Sequence, residues 1–529
     1  MAFLFQPYIR PSNVPEGAGF IESHIWKLVG ASIILRLLAA GTFPLFYKEA
    51  YFWEWSNFLS LGYLDHPPIV AWTIKAFTLW LPDHGLLTIR GGALLFGMAS
   101  LALIYRIAWK LFGDPTVAAR ALSLALAIPL LHAVGTLMTP DAPLVFFHLL
   151  SLSLFVSALQ NRRRRDWFLT GTAIGFALLS KLMALPSLVA FGVFLATSPN
   201  HRWWLKRKEP YLALATAIAV FFPFLLWNQE HDWASFRMQL WDRHLGKWGF
   251  GVGKTAEFCF EQLVDTLFLS VPLFVCLVTS VKNLPVDWQT GYHLLRCQSF
   301  ATLGFFFVAG MMTEAHPHWT VLAYPSAAIA LAAWWSCQKH HPVARSLKWL
   351  APLALVTVLV VISLVPLARP ILMSIPTDGF GERWERKVST ARMRLFGWPD
   401  LIVQIEDRLR QVSDSSDKKD GVVFTYTYKQ SSMVSFYRRQ GLTINLEAYL
   451  RRPKNVGDAA WYYLPTSLLQ GMSGIFVTDG SGPGLPELRR LFRSVQPLPD
   501  IRKYAGNQLI GRYFIYRVEE FRPALQSSD

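Results

Sequence analysis

Long apolar runs punctuate this chain, and no other feature narrows its fold so far. At 1.5 Å per residue, about 20 apolar residues make a helix long enough to cross the roughly 30 Å hydrocarbon layer of a bilayer. Spans are read at 24–45, 87–112, 117–137, 142–160, 211–228, 262–281, 299–313, 320–336 and 347–367. From 167 to 198 runs a further apolar stretch, interrupted by Ser180-Lys181, which reads as two short helices forming a hairpin. Composition agrees, with 53% of the 529 residues hydrophobic and 16% charged, where soluble chains carry about 25% charged residues. The expectation is a polytopic α-helical membrane protein with about 11 transmembrane helices.

The formal net charge of +16 raises nucleic acid as a partner, but the basic residues fall largely in short loops between apolar runs. That is the distribution of positive-inside loops and of contact with anionic headgroups, so membrane lipids are expected and nucleic acid is not. Arg162–Arg165, Arg202 with Lys206–Lys208, and the loop of Lys339, Arg345 and Lys348 should share the cytoplasmic side. They do so only if the amino terminus is inside and 167–198 crosses twice. The same parity sends 46–86, 138–141, 229–261, 314–319 and everything after 368 to the outer side. Cys259, Cys276, Cys297 and Cys337 form no CxxC or metal-ligand spacing and read as packing residues. The first 23 residues are mixed and polar, with no evident cleavable signal.

Past 368 the composition turns polar. Val422–Tyr426, Gly474–Thr478 and Tyr513–Val518 read as strands, while Ile402–Gln411 and Leu485–Phe492 have helical spacing. Residues 1–367 are expected to form the membrane domain and 368–529 an extracytoplasmic α/β domain. The glycine-rich Asp479–Gly484 lacks the Lys-Ser/Thr ending of a phosphate loop and reads as a turn.

Four outer segments carry the candidate chemistry. Ionisable groups are costly at membrane depth, so their clustering at its edge suggests function. Glu49 and Glu54 lie five residues apart, about 140° around a helix, and do not share a face. Glu49 is nearer the membrane exit; the plain alternative is that both are solvated on an interfacial helix whose Trp and Tyr form an aromatic belt. Asp65-His66-Pro67-Pro68 presents an acid and an imidazole on a turn stiffened by two prolines. His66 can hold a phosphate and Asp65 can orient it, or Asp65 is simply a helix cap. Asp141, after Thr139-Pro140, is equally an amino-terminal cap or a carboxylate facing a substrate. Arg36 and Lys181 interrupt apolar runs and are functional suspects that could also pair within the bundle. Arg237, Arg243 and Lys254 stand among Trp227, Trp233, Trp241 and Trp248, a mixture suited to a phosphate and a sugar face or to headgroup anchoring. Glu314, His316 and His318 could bind a divalent metal, although their spacing matches no recognised ligand set; no other cofactor is indicated.

The anchors Glu49-Ala50-Tyr51-Phe52-Trp53, Gly62–Pro68, Thr139-Pro140-Asp141-Ala142-Pro143, Leu179-Ser180-Lys181 and His316-Pro317-His318-Trp319 together resemble one family. It is that of the bacterial GT-C glycosyltransferases of the protein O-mannosyltransferase superfamily, near the enzymes related to the lipid A aminoarabinose transferase. The resemblance covers roughly 20–370. It implies a hexosyl- or pentosyltransferase in the cell inner membrane, its site facing outward, moving a sugar from a polyprenyl-phosphate donor to a lipid, glycan or protein acceptor. Such enzymes place an Asp-Glu pair in the first outer loop; here the pair reads Lys48-Glu49, so only the Glu role carries over. The base is then Glu49, Asp65 or Asp141, with His66 meeting the donor phosphate and Lys181, Arg237, Arg243, His316 and His318 as further donor- or substrate-binding candidates. Two other classes stay open: a transporter or flippase of lipid-linked sugars, and an inactive scaffold, which Lys48 suggests.

Overall fold

The computed structural model describes residues 20–81, 85–242, 251–279, 284–312, 316–338, 340–376, 382–412, 421–447, 466–480 and 482–522. The chain divides into two compact units, one of Met1–Thr42 with Ser60–Val365, the other of Phe43–Leu59 with Pro366–Asp529.

The first unit is helical. After α1 (Phe20–Thr42), and setting aside α2 (Tyr47–Asn57) of the other unit, come α3 (Ile69–Trp80), α4 (Leu86–Phe112), α5 (Pro115–Leu126) and α6 (Pro129–Val134). Then follow α7 (Asp141–Asn161), α8 (Arg164–Ser180), α9 (Leu185–Thr197), α10 (Glu209–Glu230) and α11 (Ala234–Phe236). The unit closes with α12 (Val252–Asp265), α13 (Ser270–Val278), α14 (Val286–Met312), α15 (Ala323–Cys337) and α16 (Pro342–Ser363).

Local chemistry sets the joints. Gly113 ends α4 at φ +65, a left-handed conformation that glycine adopts without Cβ strain. Asp114 then caps α5, accepting the Thr116 N–H at 2.7 Å, with Pro115 in the first helical position. The span expected at 117–137 is broken ahead of Pro129, which cannot donate within a helix. The span expected at 262–281 is bent by 106° between α12 and α13. There Leu267 and Phe268 take φ of 48° and 63°, ahead of Pro272 in the first turn of α13.

Among the described residues six helices are able, by length and apolarity, to cross a membrane, seven if the bent pair counts as one, against about 11 expected. The difference lies in these broken segments and in short apolar helices such as Ile69–Trp80 and Leu182–Thr197. The protein is a multi-pass membrane protein.

The hairpin expected at 167–198 is present. Phe155 packs on Trp167, near the start of α8, at 5.6 Å, and on Phe191 and Phe194, late in α9, at 4.5 and 5.9 Å. The chain therefore doubles back, with the turn at Lys181, which is extended (φ −164, ψ 137).

Helix directions then sort the unit into two ends. Arg164 meets Glu209 at 3.6 Å, Gly171 abuts Ala213 and Gly175 abuts Val220, so α8 and α10 run parallel. Lys110, late in α4, bonds Ser157 at 2.6 Å, late in α7, while Phe96 meets Phe146 nearer their starts. At one end lie the expected basic clusters: Arg162 sits over the Trp203 ring at 5.5 Å, and Arg120 over Trp335 at 4.8 Å, just before the turn into α16. The other end gathers 60–68, 138–141, 181–183 and 227–239.

The second unit carries a five-stranded sheet of order β2-β1-β3-β5-β4. Its strands are β1 (Val422–Thr425), β2 (Thr443–Asn445), β3 (Gly474–Thr478), β4 (Phe492–Ala505) and β5 (Gln508–Phe521). The pairs β1–β2 and β1–β3 are parallel; β5 runs antiparallel to both β3 and β4. Phe424, Phe476, Phe492, Val518 and Phe521 build its core. After α17 (Ala368–Ser374) and α18 (Glu382–Leu395), α19 (Trp398–Val412) buries Trp398, Leu401, Ile402, Ile405 and Leu409, an apolar stripe at helical spacing. The stretch after β3 is a turn, with Gly480 and Gly482 at φ +91 and +142. Helix α20 (Tyr428–Arg438) packs on α2: Trp53 meets Phe436 edge-on at 5.0 Å and Tyr51 meets Tyr428 at 4.9 Å.

Candidate functional site

Within the first unit the centre of the site is an ion pair. Lys181 Nζ donates to Asp141 Oδ1 at 2.8 Å, with both side chains buried. Asp141 opens α7 directly after Pro140, where helix N–H groups favour a carboxylate; Lys181 follows the last turn of α8, where free carbonyls favour a cation. Two helix ends of opposite polarity are thus joined by charges of matching sign. Removing one partner would strand the other in a poorly solvated place, at a cost of about 3–5 kcal/mol.

The segment 60–68 lies across the end of α10. A Cβ on Gly62 would stand 2.7 Å from the Trp227 ring and 2.8 Å from Phe224, so only glycine permits this approach. Trp72 Nε1 donates to the Ser60 carbonyl at 2.9 Å, and the Gln239 side-chain amide donates to the Asp65 carbonyl. Asp65 and His66 are half-buried, while Pro67 and Pro68 are buried and lead into α3. Arg237 shares the π-helical turn Arg237–Asp242 with Gln239, half-buried, its Nε without a hydrogen-bond partner. A Cβ on Gly92 would meet both Thr73 of α3 and Met138, so the start of α3 and the approach to Asp141 flank one glycine of α4.

His316 and His318 bracket the start of the short helix Pro317–Thr320, their rings stacked at 5.7 Å, with His316 edge-on to Trp319 at 5.2 Å. Trp319 packs with Phe258, Phe306 and Met183, two residues from Lys181. These histidines therefore belong to the same end of the unit. Among the described residues no group of three or more His, Cys, Asp or Glu is placed to hold a metal ion. Arg243 and Glu314 lie outside the described residues, and Lys254 is exposed on α12.

Glu49 belongs to the second unit. It is fully buried and its Oε2 accepts the Phe46 N–H at 3.1 Å, closing the first turn of α2. Glu54 is buried on the same helix and accepts from Ser432 Oγ at 2.8 Å. Burial pushes the Glu54 carboxyl up to about 7, and the Ser432 bond only partly opposes it. The alternative of two solvated carboxylates on an interfacial helix is therefore overturned: Glu49 through Ser56 are all buried, because α20 covers the helix. In the first turn of α2, the Tyr47 ring meets Arg394 at 5.9 Å and Lys429 at 5.4 Å.

Arg36 proves to be paired inside the bundle. Its Nε donates to His132 Nδ1 at 3.2 Å, and His132 Nε2 bonds the Leu126 carbonyl at 2.7 Å. Gly97 and Gly135 leave room for its guanidinium. His132 and Gln239 are the residues that sequence reasoning passed over. An imidazole inside an apolar run was a readable signal for the first; the second depends on a contact remote in sequence.

Residues 65–227 match the family described as dolichyl-phosphate-mannose-protein mannosyltransferase. The chain is 24% identical over 312 residues to a lipid A galacturonosyltransferase of Rhizobium johnstonii, covering 59% of this chain and 63% of that protein. It is 24% identical over 219 residues to an undecaprenyl phosphate-alpha-4-amino-4-deoxy-L-arabinose arabinosyl transferase of Edwardsiella ictaluri, covering 41% of this chain and 38% of that one. The matched part thus spans less than two thirds of either relative. In architecture it is similar to ArnT from Cupriavidus metallidurans bound to undecaprenyl phosphate, with a TM-score of 0.61, 15% identity, and coverage of 93% of this chain and 97% of that one. The apo form of that protein gives a TM-score of 0.59 over the same shares.

Proposed function

We propose, for a chain that belongs to the GT-C glycosyltransferase superfamily of protein O-mannosyltransferases and lipid A sugar transferases, that it moves a sugar from a polyprenyl-phosphate donor to a lipid or glycan acceptor. The observation that carries this reading is the buried Asp141–Lys181 pair, at the end of the unit that also holds Asp65, His66, Arg237, His316 and His318. A polyprenyl phosphate leaves readily once cations hold its charge. His66 and Arg237, with Lys181 oriented by Asp141, are suited to that task. As the acceptor hydroxyl attacks the anomeric carbon, the bond from that carbon to the phosphate oxygen breaks and the hydroxyl proton passes to a carboxylate. Asp65 is the base of choice within this unit, since Asp141 is engaged with Lys181. One displacement inverts the anomeric carbon. Activation resides in the donor, so no nucleotide is required.

The basic end is read as cytoplasmic and the acid-and-histidine end as facing outward from the inner membrane, with 368–529 an extracytoplasmic domain. Neither transport nor an inactive scaffold is favoured by the relatives. For the sugar itself, one relative's name carries a uronic acid and the other's an aminopentose. The longer match is to the relative named for a uronic acid, which supports an acidic hexose as the sugar.

The test supplies purified protein with undecaprenyl phosphates carrying galacturonate, aminoarabinose or a neutral hexose, together with membrane extract as acceptor, and follows labelled sugar into product. Transfer should be fastest from the galacturonate donor and should fall at least 100-fold in Asp65→Asn. Transfer that prefers the aminoarabinose donor would refute the sugar assignment, and no transfer from any donor would refute the enzyme.

A further inference from the structure

Away from these carboxylates, the first unit has a groove of about 670 Å³ between α9 and α14. Leu185, Val189 and Val193 line one wall, four residues apart and each about half exposed, so they form one stripe along α9. Phe300 and Phe305 line the other. From Leu185 to Val193 the stripe runs about 12 Å, most of the roughly 15 Å hydrocarbon depth of one leaflet.

The groove is apolar throughout except at one end. His293 and Arg296 line it there, level with the close of α9, where Thr197 Oγ1 lies 2.8 Å from His293 Nε2. That is the end of the unit bearing the arginine and lysine clusters, opposite to Lys181. Arg296 is half-buried, and its nearest ring is Phe300, 5.9 Å from the guanidinium carbon. Among the described residues no carboxylate pairs with it. Asp287, on the same helix, is nine residues away, about 14 Å by helix rise. An arginine facing an apolar groove, on a helix long and apolar enough to cross a membrane, is costly unless an anion meets it.

We propose that this groove holds one anionic phospholipid drawn from the leaflet at the basic end, its phosphate against Arg296 and His293 and one acyl chain along the α9 stripe. A polyprenyl donor is the competing occupant. Its phosphate would sit at the Lys181 end, and the groove's cation stands at the other, so charge complementarity favours the phospholipid. The inference does not depend on the chemistry proposed above.

The full chain, purified in dodecyl maltoside and delipidated, is titrated with dipalmitoyl phosphatidylglycerol or dipalmitoyl phosphatidylcholine, and retained lipid is counted by native mass spectrometry. One phosphatidylglycerol per chain should be held at least 10-fold more tightly than phosphatidylcholine. Arg296→Gln should erase that preference, Arg296→Lys should keep most of it, and Val189→Trp, which fills the groove without touching the cation, should lower retention of both lipids. Equal retention of the two lipids by the wild type would overturn the proposal, as would retention indifferent to both Arg296→Gln and Val189→Trp. Displacement of the bound lipid by undecaprenyl phosphate, with an affinity that Arg296→Gln leaves unchanged, would assign the groove to the donor's tail instead.

Discussion

At the basic end of the membrane unit, Arg162 to Arg165 and Arg202, Lys206, Arg207 and Lys208 are all exposed. At the opposite end Asp141 and Lys181 are buried and joined at 2.8 Å, while Asp65, His66 and Arg237 are half-buried. Both ends are charged, but in physically different ways. An exposed cation is stabilised by water and headgroups whichever neighbour it has, so its contribution is diffuse and replaceable. A buried pair is stabilised by its partner, so each member is individually required. The difference separates charge that water and headgroups can satisfy from charge that needs one particular partner.

The sharpest way to break that contrast is Lys181→Met. Leaving Asp141 unpaired should cost about 3–5 kcal/mol of stability and reduce transfer by about three orders of magnitude, or about 4 kcal/mol of transition-state stabilisation. A denaturant series and a rate assay on the purified protein measure both. The swap Asp141→Lys with Lys181→Asp should recover part of the stability and none of the activity, since each charge would then face the wrong helix end.

The next effect sharpens the contrast in the second unit. Glu54 is held near 7 in the folded state, above the ordinary value of about 4.3 for an exposed glutamate. The folded chain therefore binds the proton more tightly than the unfolded one. The stabilisation is complete below about pH 4, declines as pH rises toward 7, and is absent above it, a change on the order of 3 kcal/mol. Thermal melts of wild type and Glu54→Gln from pH 5 to 8 should show the wild type losing stability with rising pH and the variant losing much less. Parallel curves would remove Glu54 as the cause.

Smaller still is the packing of the 60–68 segment. Gly62→Val should cost about 1–3 kcal/mol through overlap with Trp227 and Phe224 and raise KM for the donor more than it lowers kcat. At the low end stands Arg164→Gln. Although Arg164 lies 3.6 Å from Glu209, it is 78% exposed and Arg207 still contacts that carboxylate. Melting should register a change of at most about 0.5 kcal/mol.

Much of this architecture was legible because apolar length and basic loops are local signals. The hairpin that parity required between 167 and 198 is present, turning at Lys181, and within the first unit 60–68, 138–141, 229–239 and 316–319 gather at one end. The strands at 422–426 and 474–478 were readable because they are short β-branched and aromatic runs bounded by turns. What local signals could not show were contacts between distant segments. The union of α2 with α20 is invisible in the Glu49 and Glu54 spacing, and that burial is what changes the character of Glu54. Likewise, the bend between α12 and α13 rests on left-handed conformations at Leu267 and Phe268, residues that carry no turn signature. For Asp141 the local sequence pointed first to a helix cap, and its ion pair with Lys181, 40 residues on, could not be read from it.

The most direct measurement sets the two ends against each other in one assay. Release of free undecaprenyl phosphate from the preferred sugar donor is followed by mass spectrometry for wild type, Lys181→Met and Arg164→Gln, each shown to be monodisperse in detergent. Release should be lost in Lys181→Met and kept within about twofold in Arg164→Gln, a difference under about 0.5 kcal/mol. Equal loss in both variants, or undiminished release in Lys181→Met, would contradict a site built on the Asp141–Lys181 pair.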